Sequence, residues 1–406
     1  MMPSIADSLV LVLTEGMSLG AWQESGLLTR EWALYAELLK RYRRLVVVSY
    51  AGASDQALLD SLVSDGDRSR VVLVCNDMGL PIEPYKASVP GRVRIACQAM
   101  SSVVVKTNQM QGGDLAVPIV QALREAGLQV GLIARGGYLW SRFVAYEHGP
   151  ESLRARECAR REETLCRHAD MVVGTTDEMV QDLSWRYGLD PLQTAMIPNY
   201  VLTDRPASES CERERGLLLY AGQLVARKRV DVLIRALAQM SPELRSRLRL
   251  EIYGSGPDER RLKLLAQELA APVHFRPRIL HDELLARMGA CLIYLQASEL
   301  EGHPKTVIEA MAAGAPVVVA DAPGLGSVVQ HGVTGLRCSP EPDQFRHAIE
   351  ELLADEDWRD ALGSAASASV RAMYGLPKIL TQEVAAHRKA LAIGIQRGQG
   401  DAAKIA

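Results

Sequence analysis

The sequence predicts an α/β protein made of two doubly wound, parallel-sheet, Rossmann-like domains in tandem. Three observations carry this. Short apolar runs rich in β-branched residues alternate with helical patterns along most of the chain. The runs are continuously apolar, as strands covered on both faces must be. The alternation lapses once, near the middle, and then restarts. A chain of 406 residues suits two domains of roughly 200 residues each.

In the first half the strand-like runs are "SLVLVLT" (8–14), "RLVVVSY" (44–50), "RVVLVC" (70–75), "SVVVKT" (102–107), "LQVGLIA" (128–134) and "MVVGTT" (171–176). Helical patterns lie between several of them, at 26–43 and 114–126, whereas 76–101 has no clear period. From 197 to 216 the pattern gives way to Pro, Ser and charges, the composition of a linker. The second half then runs strand 217–222, helix 230–240, strand 248–254, helix 258–270, strand 273–275, helix 281–288, strand 291–295, helix 304–313, strand 316–320, strand 334–338 and helix 342–354. Residues 356–396 are helical without strands. Ligands of this architecture bind at the C-terminal ends of the strands, and two such sheets imply a central cleft.

Composition narrows the class. The chain is 48% hydrophobic and 23% charged, with net charge −3. No apolar run approaches the ~20 residues of a membrane span. The N-terminus lacks a basic n-region and an A-x-A site, so no secretion signal is expected. Seven widely spaced cysteines without a C-x-x-C pair point to reduced thiols in the cytoplasm and to no zinc site. Lys and Arg number 20 against 23 Asp and Glu up to residue 200, and 26 against 26 beyond it. That balance excludes nucleic acid as a main partner.

The candidate site lies in loops after strands. "YAGQLVARKRVDVLIRAL" and "IYGSGPDERRLKLL" each place a glycine turn between strand and helix, where backbone amides can approach a phosphate. Lys228 lies beside the first and suits a diphosphate. Gly254 and Gly256 have G-x-G-P spacing, not the full dinucleotide fingerprint, and no P-loop lysine motif occurs. Taken singly, such turns also simply connect elements, and "ARKR" also fits a solvated face. In "SELEGHPKTVIEAMAAGAPVVVA" Pro304 fits the first helical position, Glu301 the loop before it and Glu309 about one turn in. Carboxylates suit vicinal hydroxyls, and amides at the helix start suit phosphate. Plain capping accounts for two acids at a helix start equally well.

"EGHPKTVIEAMAAGAPVV" resembles the E-x7-E signature of the retaining glycosyltransferases of GT-B architecture, family 4. "YAGQLVARKRVDVLIRAL", "IYGSGPDERRL", "VHFRPRILHDELL" and "DAPGLGSVVQHGVTGLRCSP" follow the family's order over 217–355. The first half is similar more loosely, through its strand–helix order and "GMSLGAWQESGLLTREWALYAELL". The resemblance implies an acceptor-binding domain at 1–200, a nucleotide-sugar domain at 216–375, and a helix with tail at 376–406 packing back towards the first. It implies that Glu309 binds ribose hydroxyls and Glu301 the transferred sugar. Gly302, His303, Pro304, Lys305 and Thr306 would surround sugar and diphosphate, beside Gly254 and Gly256. Lys228 would hold the diphosphate, Arg278 and Ile279 would frame the base, and Gly20 would touch the donor from the first domain. No metal and no cofactor are implied. The donor would be a UDP- or GDP-linked sugar, and the acceptor a glycan or lipid-linked glycan in bacterial surface polysaccharide or glycolipid synthesis.

The sequence departs from the family twice. Gln223 stands where the family often has Arg, leaving Arg227 or Arg229 to supply charge. "LIARGGYLWS" offers Arg135 and Tyr138 where many members carry a cleft His, and "VKTNQMQGGD" offers Asn108 and Gln109. Arg135, Asn108 and Tyr138 are therefore expected on the acceptor side, with Arg135 also a catalytic candidate beside Glu301 and Lys228. A salt bridge with a nearby acid is the competing role for Arg135. A nucleotide-sugar 2-epimerase, a nicotinamide dehydrogenase and a non-catalytic sugar-nucleotide-binding subunit stay open as rivals. Peripheral contact with the inner membrane is open too: "LLKRYRR" suggests a basic helical face, and 134–167 mixes seven Arg with aromatics. Glu151, Glu157, Glu162 and Glu163 interleave with those arginines and favour a salt-bridged surface helix. Oligomeric state is not indicated.

Overall fold

The computed structural model describes residues 4–202 and 213–405. The chain divides into two compact units, Met1–Pro198 with Ile379–Ala406, and Asn199–Lys378. The first holds seven strands: β1 (Ala6–Val12), β2 (Tyr42–Val48), β3 (Val71–Val74), β4 (Ser102–Thr107), β5 (Gln129–Arg135), β6 (Met171–Gly174) and β7 (Thr194–Met196). Their order is β3-β2-β1-β4-β5-β6-β7, every neighbouring pair parallel. Val10 faces Val46 on one side and Val105 on the other, all three fully buried. Both faces of these strands are covered, so neither needs polar residues.

The second unit holds β8 (Leu217–Ala221), β9 (Arg249–Tyr253), β10 (Val273–Arg276), β11 (Ile293–Gln296), β12 (Val317–Ala320) and β13 (Leu336–Cys338). Their order is β10-β9-β8-β11-β12-β13, again parallel throughout. In each sheet the order reverses once, between β1 and β4 and between β8 and β11. Loops leaving these strands in opposite directions open a crevice at their C-terminal ends.

Several boundaries differ from the sequence expectation for local reasons. The first long helix is Leu28–Leu39, and Tyr42–Arg44 already belong to β2. "LLKRYRR" is thus no basic helical face: Tyr42 is buried, its hydroxyl 2.7 Å from His387 Nδ1. The stretch without clear period forms the helix Ile82–Ala96, whose pattern is blurred by Pro90 inside it. β7 escaped notice because Thr-Ala-Met carries no apolar run; it is a strand only through pairing with β6. The linker segment is anchored at both described flanks. Val201 bonds to Tyr374 and Leu376, and Arg213 donates to the Cys291 and Gly314 carbonyls. Its centre, 203–212 with Cys211, lies outside the described residues.

The C-terminal helix Leu376–Ile405 brings Glu383 and His387 into the first unit's interior. Lys106 Nζ lies 2.6 Å from Glu383 Oε2, and Arg135 Nε 3.5 Å from Glu383 Oε1. A buried lysine and carboxylate tolerate desolvation only because they are paired. Burial pushes Lys106 down to about 8, partly offset by the Glu383 charge. Among the described residues no helix is long and apolar enough to cross a membrane.

Candidate functional site

The richest cluster of expected residues lies where the second unit's strand order reverses. β8 ends at Ala221, and a short helical turn, Ala226–Lys228, follows it. Arg229 adopts a left-handed conformation, φ 45°, and turns the chain into the helix Val230–Ala238. This kink sorts three consecutive basic side chains. Lys228 Nζ pairs with Glu301 Oε1, Arg227 Nη1 lies 3.5 Å from Glu301 Oε2 and 3.2 Å from the Leu300 carbonyl, and Arg229 pairs with Glu299. Glu301 follows β11 and is nearly buried; Gln296 Nε2 also donates to it at 3.2 Å. Burial alone would raise the Glu301 carboxyl, but the Lys228 and Arg227 charges outweigh it and hold it below its usual value. Burial pushes Lys228 down, with Arg227 adding to that and Glu301 opposing it.

Pro304 stands at the N-cap, not the first helical position. Its ψ of 95° is not helical, so the helix begins one residue later and runs Lys305–Ala312. Its carbonyl still accepts from Ile308 N at 3.1 Å. Glu309 falls on the second turn, buried, with Oε1 2.9 Å from His281 Nε2. His281 opens the helix His281–Ala290 after β10. His303 is buried edge-on against Tyr374, its carbonyl accepting from Asn199 Nδ2 at 2.8 Å. Gly302 is buried, and Thr306 hydrogen-bonds Tyr294.

The glycine turns turn out to be steric necessities. A Cβ on Gly254 would stand 1.9 Å from the Gly222 carbonyl oxygen, and one on Gly256 2.3 Å from that of Leu224. The two turns are stitched together by Leu224 N to Ser255 O at 3.0 Å and Asp258 N to Leu224 O at 3.0 Å. Gln223 is exposed, and its carbonyl accepts from Tyr220 at 3.0 Å. Arg278 is exposed and donates to Ser255 Oγ at 2.9 Å; Ile279 is half-buried beside it.

The expected residues of the first unit are spread among separate contacts. The Gly20 amide donates to Asp55 Oδ1 at 3.0 Å and that of Leu19 to Oδ2 at 2.9 Å, so a buried carboxylate occupies the start of the helix Leu19–Glu24. Asn108 is buried, its Oδ1 accepting from Tyr35 at 3.1 Å and its Nδ2 3.4 Å from Thr14 Oγ1. Arg135 is buried against Glu383, and Tyr138 stacks on Phe143 at 5.0 Å with its hydroxyl on Gln111. On the helix Leu153–His168, Arg160 pairs with Glu157 and Arg167 with Glu163 in the open, whereas Glu162 is buried against Arg186. The interleaved charges are thus partly surface and partly interior.

Sequence reasoning missed His281, and Ser298, whose side chain hydrogen-bonds Glu301, and left Arg227 and Arg229 undivided. His281 had a signal, as the residue opening a helix after a strand end; the division of the arginines had none.

Known proteins resemble the chain in sequence and in fold. Residues 204–369 match the family model "Glycosyl transferases group 1". A D-inositol 3-phosphate glycosyltransferase of Nocardioides sp. is 31% identical over 258 residues, 57% of this chain and 56% of that one. The chain thus spans about half the length of the curated relatives it matches. Among solved structures, sucrose-phosphate synthase of Thermosynechococcus elongatus has TM-score 0.72 at 20% identity, covering 95% of this chain and 99% of that one. HepE of Anabaena, in complex with UDP and glucose, has TM-score 0.70 at 18% identity over 92% and 97%.

Proposed function

We propose that the chain, whose residues 204–369 match the group 1 glycosyl transferases and which carries the GT-B fold, moves a glycosyl group from a UDP- or GDP-linked sugar to a hydroxyl acceptor, with retention at the anomeric carbon. The observation that carries the reading is the meeting of Lys228, Arg227 and Glu301 at the point of strand reversal. The bond between the anomeric carbon and the diphosphate oxygen breaks. The acceptor oxygen bonds to that carbon on the same face, and its proton passes to the departing diphosphate. Negative charge grows on the leaving group. Lys228 and Arg227 stabilise it without having to reorganise, and fixed charges of this kind contribute most to lowering such a barrier. Glu301 turns from Lys228 to the sugar hydroxyls. Glu309, oriented by His281, takes the ribose hydroxyls. The name of the relatives, D-inositol 3-phosphate glycosyltransferase, supports transfer to a hydroxyl of a small polyol, phosphorylated in their case, and HepE's ligands support a uridine donor. The product class we assign is a surface polysaccharide or glycolipid.

A thermal-shift panel of UDP-, GDP- and ADP-sugars identifies the donor. With it in hand, Lys228→Ala lowers transfer about 100- to 1,000-fold, and Glu309→Ala raises donor KM. Turnover close to wild type in both variants, with folding verified by circular dichroism, sinks the assignment.

A further inference from the structure

The first unit's sheet has the same break in strand order, and the crevice there carries different chemistry. Glu15 follows β1 and Asp114 follows β4, so the two carboxylates flank the break as Lys228 and Glu301 do in the second unit. Arg161, from the helix Leu153–His168, ties them together. Its Nη2 lies 2.5 Å from Glu15 Oε2 and 2.7 Å from Asp114 Oδ1, and its Nε 3.0 Å from Asp114 Oδ2. The guanidinium sits 5.5 Å from the Trp140 ring. Lys86 adds a second cation 3.8 Å from Glu15. All four charged side chains keep between 15% and 25% of their surface exposed, so a solute can reach them. These two carboxylates and two cations balance, and Glu83, exposed and 3.0 Å from Lys86 Nζ, leaves the patch with a net charge of −1.

Tyr50, just past β2, supplies an independent sign of a ligand. Its hydroxyl is buried and has no hydrogen-bond partner among the described residues. Burial first, then the Glu15 charge, pushes its pKa up, so it stays a neutral donor beside the cluster. A buried hydroxyl without a partner is destabilising, and a ligand hydroxyl removes that cost. A mere brace between helix and loop requires neither partial exposure nor this unmet donor.

Resting on the glycosyl-transfer reading, we propose that this crevice holds the acceptor and selects an uncharged polyhydroxyl compound, a sugar or polyol, over its phosphorylated counterpart. Each carboxylate accepts from vicinal hydroxyls, while Arg161 and Tyr50 donate. A phosphate meets cations already neutralised and two carboxylates that repel it.

The test uses the full chain, a panel of UDP- and GDP-sugars, and matched acceptors: glucose, mannose and myo-inositol, each beside its monophosphate. In the wild type the neutral member is used at least ~10-fold better by kcat/KM. Asp114→Asn and Glu15→Gln each remove one of the carboxylates that repel a phosphate and shift that ratio towards the monophosphate by about 10-fold. Two variants guard against one failing to fold. A wild-type preference for the monophosphate overturns the proposal, as does an equal loss of both acceptors in the variants, the mark of a brace. Donor hydrolysis that neither acceptor accelerates overturns it too. Failure to bind or consume any donor instead overturns the glycosyl-transfer reading itself.

Discussion

Glu309 and His281 meet 2.9 Å apart where both are buried, and each limits what the other can do. A carboxylate that must take two ribose hydroxyls needs a fixed orientation, and a second partner on one oxygen provides it. His281→Ala removes that partner and leaves the rest of Glu309's surroundings in place. The expected result is a donor KM raised about 10-fold with kcat nearly unchanged, the pattern of lost uniform binding. Equal falls in kcat and kcat/KM would instead place His281 in the chemical step. Lys228 differs because its charge matters most as the leaving group departs. Its substitution should therefore appear in kcat.

At the scale of elements, the turns after β8 and β9 function as one unit. Their backbones approach so closely that Gly254 and Gly256 have no room for a side chain. Gly256→Ala should cost about 2–3 kcal/mol, as overpacking against backbone does, and should lower donor affinity because the turn bearing Lys228 shifts. Gly91 is a control: it lies in the helix Ile82–Ala96 with nothing within 4 Å of its would-be Cβ. Gly91→Ala should raise stability by about 0.5–1 kcal/mol. Urea unfolding of the two variants checks both signs, and a neutral Gly256→Ala refutes the packing argument. The sequence showed these glycines but not their reason, since the clash involves backbone more than 30 residues away.

Across the whole molecule, carboxyls held below their usual range set the acid limit. Burial would raise Glu251, but hydrogen bonds from Arg276, Arg287 and Tyr253 hold it down to about 2. Glu383 is likewise held well below its usual value, by Lys106, His387 and Arg135 against burial, and Glu301 is lowered too. A depressed folded-state pKa means the unfolded chain binds more protons, so stability is full well above the unfolded carboxyl pKa of about 4.3 and falls as pH drops from about 5 towards 2. The expected Tm is nearly flat from about pH 6 to 8 and declines below about 5. Glu251→Gln should cost about 2 kcal/mol at neutral pH and flatten the decline; an unchanged acid limb in calorimetry contradicts this. The sequence by itself determined the two parallel α/β units, because continuous apolar runs and amphipathic helices are local patterns. It also placed Lys228, Glu301 and Glu309 after strands, because motif spacing is local too. Only the tertiary structure decided that Arg227 joins Lys228 on Glu301 while Arg229 goes to Glu299, that His281 faces Glu309, and that Glu383 and His387 reach Lys106, Arg135 and Tyr42 across some 250 to 350 residues. Pairings of that kind depend on which strand ends the topology brings together, and a charge in a sequence carries no record of its distant partner.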